Sequence, residues 1–467
     1  MKVEQIYTGC LSQGAYYIES NGEVAIIDPL RDTKPYIERA QKDNAKIKYI
    51  FETHFHADFV SGHIDLAKQT DAKIIFGPNA NTSFTSTSAL DNQIFVLGNV
   101  SIKVIHTPGH TMESTCFLLL DEQGKEYALF SGDTLFIGDV GRPDLAVKSN
   151  MSKEELASHL FYSLRNKIMT LPDETIIYPA HGAGSACGKN LSKNTFDTLG
   201  NQKIENYALR FDMSKEQFLN EVLEGLQEAP SYFSENVRLN KSGYESLDDI
   251  LKRGDTELSV QAFESLANTY KCLILDTRAP QVFKNAFIPN SINIGLEGAF
   301  APWVGALIPN LQQEILLIVD EGKEQEVITR LARVGYDHTL GYLSGGIDAW
   351  INAGKEVDSI KSITAHDLEQ IIEENIDVLD VRKPSEYEAE HIKGVRNFPL
   401  ATINESFSVL DKTKEYHIHC GGGYRSMIMA SILKSRGFES IIDIQGGFEA
   451  IKKTTIPLSN FVCSSKK

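Results

Sequence analysis

The stretch "ETHFHADFVSGH", residues 52–63, sets two histidines and an aspartate at alternate positions, His54, His56 and Asp58. A β-rich run, "KIKYIF" (46–51), leads into it. Alternate residues of an extended turn at a strand end can converge on one ion. The next residue is Phe59, an apolar ring with no lone pair to offer. His63, four residues on, is expected to face another way on the following helix. The loop reads as a metal loop with one ligand missing.

Four neighbouring runs have the same design. "EVAIIDP" ends in Asp28, "IKVIHTPGH" in His110, "YALFSGD" in Asp133 and "TIIYPAH" in His181. Five short β-rich runs that each deliver a metal-competent side chain just past the strand imply one shared cluster at a sheet edge. A lone histidine is more often a surface or core residue than a ligand. His54, His56 and Asp58 together with His110, Asp133 and His181 reverse that reading. The stretch 152–169 is expected to be helical, as are residues 190 to about 230, whereas 229–247 reads as a loop-rich link.

These residues closely resemble the metallo-β-lactamase superfamily, over residues 1 to about 230. The resemblance implies an αββα sandwich. In its two-metal members, such as glyoxalase II, the residue after the aspartate helps hold the second ion, so Phe59 argues for one metal. Two histidines and one carboxylate with open faces is the ligand set of non-haem Fe(II) oxygenases. Within the superfamily that describes the persulfide dioxygenases, whose ligands carry over to His54, His110 and Asp133. His56, Asp58 and His181 would then orient the ligands, meet substrate and oxygen, or serve as inherited scaffold. "GDVGRPDL" (138–145) resembles the stretch that contacts the thiol carrier, and Arg142 suits a carboxylate or phosphate; a structural salt bridge is the alternative. Cys187, in the glycine-rich "HGAGSACGK", either accepts sulfur, shapes the pocket or is an inert buried thiol.

Composition bounds the rest. The chain has 467 residues, 42% apolar and 23% charged, with net charge −17. That length suggests several domains, and that charge argues against nucleic acid or an anionic membrane as partner. No apolar run is long enough to span a bilayer, and the first residues lack a secretory pattern. Six cysteines (Cys10, Cys116, Cys187, Cys272, Cys420, Cys463) include no C-x-x-C pair. A reducing cytoplasm is the expected location.

The second half contains a repeat with a period near 100 residues. Residues 272–296 align with 376–400, 314–337 with 415–439, and 344–350 with 445–451. Each unit alternates strands and helices, which predicts two small parallel-sheet α/β domains. The expected domains are 1–235, 250–357 and 360–462. In "HCGGGYRS" (419–426), Cys420 follows a short strand and precedes an apolar helix. Gly421, Gly422 and Gly423 let the backbone curl so that several N–H groups point at the sulfur, and the helix N-terminus and Arg425 add positive charge. Such a cradle stabilises a thiolate or persulfide. The loop resembles that of the rhodanese sulfurtransferases, which makes Cys420 the expected nucleophile with Arg425 as its catalytic partner, and Gly421, Gly422, Gly423 and Tyr424 the expected substrate-binding residues. Glu390 departs from the family's usual glycine. In the middle repeat the matching position is Asp320, and the glycine triplet is gone. An aspartate cannot carry persulfide sulfur, so that repeat is expected to be inactive.

The whole order resembles the bacterial persulfide dioxygenase–rhodanese fusions. It implies a sulfide-detoxifying enzyme with one Fe(II) per chain. Its partners would be a small thiol persulfide (of glutathione, coenzyme A, bacillithiol or cysteine), O2 and sulfite, and a homo-oligomer is expected. The rivals are a glyoxalase-II-like zinc thioesterase fused to a rhodanese, and a non-enzymatic sulfur carrier or sensor.

Overall fold

The strands Gln13–Ser20 and Glu23–Ile27 bury both faces, and each face finds a different partner. Tyr16, Ile18, Ala25 and Ile27 pack with Ile102, Val104, Phe117 and Leu119 of a second sheet. Their alternates Ala15, Tyr17, Val24 and Ile26 pack against Tyr36, Ala40 and Leu66, which lie on the helices Lys34–Lys42 and His63–Thr70. Side chains alternate across a strand, so near-continuous apolar runs such as "AYYI" mark strands covered on both sides.

In the computed structural model, residues 1–145, 151–226, 228–374 and 376–462 are described, and Cys463 lies outside them. The chain divides into two compact units, Met1–Leu247 with Ala332–Gly335, and Asp248–Leu331 with Tyr336–Lys467. The first unit stacks two six-stranded sheets. One runs in chain order from Lys2–Thr8 to Thr87–Ser88, antiparallel over its first three strands and parallel beyond. The other places Ile176–Pro179 beside Glu126–Gly132, followed by Thr115–Leu120, Val100–His106 and Ile94–Leu97. Its outer face packs Leu118 and Leu129 against Ala157 and Leu160 of the helix Lys153–Ser163. This is the αββα sandwich expected from the sequence.

Two expectations need correction. The supposed link 229–247 contains the helix Phe233–Ser242, and the first unit extends to Leu247, so the expected boundary at 235 falls inside that helix. Its buried positions are Phe233, Asn236 and Asn240, the i, i+3, i+7 spacing of one helical face. Two of the three are asparagines, which is why no apolar stripe announced it. Residues 190–226 are only partly helical, with short helices at Leu199–Glu205 and Lys215–Leu223 and a 3₁₀ turn between them.

The second unit contains the two repeats. Each forms a five-stranded parallel sheet of identical strand order. The central strand pairs Leu273–Asp276 with Ile315–Ile318, and Asp377–Asp380 with Tyr416–His419, occupy matching places. The helix Tyr424–Ser435 is buried at every residue from Ser426 to Leu433. A helix apolar all round needs cover on all sides. It packs on its own strands Tyr416–His419 and Ile441–Ile444, and also on Ile292–Asn293 of the middle repeat. Among the described residues, no helix is long and apolar enough to cross a membrane.

Candidate functional site

Five strand ends converge in the first unit. Asp28 follows Glu23–Ile27, His54 lies just past Lys46–Glu52, and His110 lies beyond Val100–His106. Asp133 follows Glu126–Gly132, and His181 comes two residues after Ile176–Pro179. All five are buried. His54, His110 and Asp133 each bring a donor atom within 4.8 Å of the others. The Nε2 atoms of His54 and His110 lie 3.8 and 3.5 Å from the same Asp133 oxygen, Oδ2.

Hydrogen-bond partners fix the tautomers. Thr53 Oγ1 donates to Asp28 Oδ2 (2.8 Å), so at 3.0 Å from His54 Nδ1 it must accept, and Nδ1 carries the proton. His110 Nδ1 donates to the carbonyl oxygen of Arg142 at 2.8 Å. Both rings therefore turn Nε2 lone pairs toward Asp133. Burial and the neighbouring histidines hold His54 well below the usual histidine range, which keeps it neutral. Neither Asp133 oxygen has a hydrogen-bond partner among the described residues. Two lone pairs facing a buried, unpartnered carboxylate are costly unless a cation lies between them. The donor set fits one divalent ion.

A second group stands beside it. His56, Asp58 and His181 also bring donor atoms within 4.8 Å of one another, and so do Asp133, His181 and Cys187. His181 Nε2 is 3.5 Å from Asp58 Oδ2 and 3.6 Å from Asp133 Oδ1. His56 Nε2 instead lies 3.1 Å from Asp28 Oδ1 and 3.5 Å from Glu52 Oε2. Burial opposes its charge, but those carboxylates and Asp58 outweigh that and push His56 up to about 9. Phe59 stacks on His56 with ring centres 4.3 Å apart and stands edge-on to His181. Cys187 is buried, and burial together with Asp58 and Asp133 raises its thiol. His63 is turned away, with Nδ1 3.3 Å from Glu52 and its ring among Phe84 and Tyr244.

Arg142 forms the structural salt bridge that was its alternative reading. Its guanidinium is buried and forks onto Asp144, with Nε–Oδ1 2.8 Å and Nη2–Oδ2 2.7 Å. The fork that was to meet a ligand's carboxylate or phosphate thus closes on a residue two positions away, leaving the Arg142 carbonyl to orient His110. Gly141 makes this approach possible, because a Cβ there would lie 1.9 Å from the Asp133 carbonyl oxygen. The sequence reading missed two supports. Glu52 accepts from Ser61 Oγ and faces His56 and His63. Asn240 donates to the carbonyls of His56 and Phe59 (2.8 Å each) and accepts from Ser61 N–H, holding the metal loop from a distant helix. Glu52 was visible four residues before His56, but nothing local marked Asn240.

The sulfur loop lies in the last repeat. Cys420 is buried at the end of Tyr416–His419, and Gly423 N–H donates to its sulfur at 3.1 Å. Ser426 Oγ is 3.7 Å from the sulfur and donates to Asp443 Oδ1 at 2.7 Å. Among the described residues only the Gly423 N–H donates to the sulfur, where several were expected. Arg425 is bidentate to Glu386 (2.5 and 2.8 Å), a pairing that raises its pKa further, and a Cβ at Gly421 would lie 3.1 Å from its Nη2. Tyr424, expected to bind substrate, points elsewhere: its hydroxyl donates to the Gly295 carbonyl of the middle repeat at 2.7 Å. At Asp320 the matching loop is exposed.

The comparisons agree with this architecture. The metallo-beta-lactamase superfamily model matches residues 8–181, and the rhodanese-like domain model matches 259–353 and 364–454. A solved metallo-beta-lactamase from Staphylococcus aureus subsp. aureus COL is 33% identical, covering 73% of this chain and 98% of that one with a TM-score of 0.65. A probable hydroxyacylglutathione hydrolase glo2 of Schizosaccharomyces pombe is 29% identical over 42% of this chain and 72% of its own. The cytoplasmic hydroxyacylglutathione hydrolase of Arabidopsis thaliana is 30% identical over 37% of this chain and 65% of its own. The chain belongs to the metallo-β-lactamase superfamily and adds two rhodanese-like domains to that fold.

Proposed function

We propose that this chain is a non-haem Fe(II) persulfide dioxygenase coupled to rhodanese sulfur transfer, making thiosulfate from a small thiol persulfide. The observation that supports it is the donor set itself. His54, His110 and Asp133 form a two-histidine, one-carboxylate group, and an apolar ring, Phe59, flanks the second group. Bound there, Fe(II) would supply open positions and electrons for oxygen chemistry. The chain's own part is orientation. Asp28 through Thr53, and the Arg142 carbonyl, hold two imidazoles in the ligating tautomer. His181 and Asp58, 3.5 Å apart beside the ligand group, would act as proton donor and acceptor for the leaving thiol and the attacking water. One persulfide, one O2 and one water give the free thiol, sulfite and two protons.

Sulfur transfer follows at Cys420. Its thiolate attacks the outer sulfur of a second persulfide and releases the carrier thiol. Sulfite then attacks the outer sulfur of the Cys420 persulfide, the S–S bond breaks, and thiosulfate leaves with the thiolate restored. Gly423 N–H stabilises the sulfur anion at each stage. Asp320 has no sulfur, so the middle repeat carries no transferred sulfur itself.

A second reading has its own support. The hydroxyacylglutathione hydrolase relatives and the donors His56, Asp58 and His181 suit a two-zinc thioesterase. His110→Ala in an iron-replete preparation separates the two. The proposal expects one iron per chain in the parent protein, with metal and oxygen uptake both lost in the variant while sulfur transfer persists. Two tightly held zinc ions, with hydroxyacylglutathione hydrolysis and no oxygen uptake, would establish the thioesterase instead.

A further inference from the structure

The face that the helix Tyr424–Ser435 turns to the middle repeat gives that repeat a task. Tyr424 is the first residue of this helix and directly follows Gly423, whose N–H meets the Cys420 sulfur. Its hydroxyl donates to the Gly295 carbonyl, and its ring fills a notch between two glycines of the middle repeat. A Cβ at Gly298 would lie 2.9 Å from Tyr424 Cε2 and Cζ, and one at Gly295 would lie 3.3 Å from Cε2. Gly298 also has φ +152, a conformation that L side chains rarely adopt. Arg330 fixes the notch by donating to the Leu296 carbonyl at 2.9 Å. Seven residues along, on the same face, Ser431 Oγ accepts from the Asn293 N–H at 2.9 Å. The helix that cradles the sulfur is thus fastened at its first turn and again two turns later to a repeat with no sulfur of its own.

We propose that the middle repeat is a positioning element for the sulfur site: Tyr424, seated between Gly295 and Gly298, fixes where the helix begins and so keeps the Gly423 N–H on the Cys420 sulfur. This rests on reading Cys420 as the sulfur acceptor. Tyr424 is a positioning residue, since it touches the neighbouring repeat and acts on the sulfur through Gly423.

The test is the pH profile of Cys420 alkylation by iodoacetamide in the full chain, followed on the Cys420 peptide by mass spectrometry. It reads the sulfur's surroundings whether or not the protein transfers sulfur, so a failed sulfurtransferase assay and a failed positioning role give different results. Gly298→Ala, which lies in the other repeat, should drive the Tyr424 ring from its notch. The alkylation profile should then move to higher pH, by about one to two units if the Gly423 contact is lost, because a hydrogen bond to a charged group is worth roughly that much. Tyr424→Phe, which removes only the bond to Gly295, should move it the same way by less. An unchanged profile in folded Gly298→Ala would overturn the proposal. If that variant does not fold, an unchanged profile in Tyr424→Phe would do so.

Discussion

The two repeats share a lock and differ in a loop. In the middle repeat Arg278 reaches back to Asp276 with Nε–Oδ1 3.0 Å and Nη2–Oδ2 2.6 Å, and its Nη2 also donates to the Ala286 carbonyl. In the last repeat Arg382 does the same to Asp380 at 2.9 and 2.6 Å, and to the Glu390 carbonyl. Asn293 and Asn397 close each lock by donating to the backbone carbonyls of its aspartate and arginine. The loops then part. Cys420 is buried beneath Gly423, whereas Asp320 stands exposed in a turn where Lys323 pairs with Glu326. The lock belongs to the fold and the loop to the chemistry. A repeat can lose the second while the first keeps its shape.

The largest effect expected from this comparison is on stability. Asp276→Ala and Asp380→Ala each leave a buried guanidinium without its carboxylate, which should cost about 3–5 kcal/mol. Denaturant unfolding of the two variants should give similar losses. A cost confined to the last repeat would mean that the lock serves sulfur chemistry after all. The smallest effect is a null one. Asp320→Cys in a Cys420→Ser background should yield no thiosulfate:cyanide sulfurtransferase activity, because the new thiol would lie exposed without a Gly423-like N–H above it. Measurable turnover from that single thiol would show that the glycine cradle is dispensable.

What could be read from the sequence follows the same division. The metal donors were legible because each comes just past a β-rich run, and strand ends gather at one sheet edge. Cys420 was legible because glycines and an apolar helix surround it in the chain itself. Glu390, the departure from the usual glycine, is harmless for a reason only the structure gives: its φ is −165°, extended backbone open to any residue, and the lock uses only its carbonyl. Residues whose partners are remote in sequence were not legible. Asn240 supports the metal loop from a helix with no apolar stripe, and Tyr424 meets Gly295 in a different repeat. For Arg142 both a ligand and a structural salt bridge were open readings, and only the structure names Asp144, two residues on, as the partner.

The central claim is that iron-dependent oxidation and sulfur transfer are separate chemistries in one chain, and Cys420→Ser tests it most directly. Oxygen uptake with a thiol persulfide is recorded for the folded, iron-loaded variant while its products are separated by chromatography. Serine's hydroxyl cannot take up sulfane sulfur as a thiolate does at neutral pH. Undiminished oxygen uptake with sulfite in place of thiosulfate is the predicted result. Undiminished enzymatic thiosulfate, or abolished oxygen uptake, would contradict it.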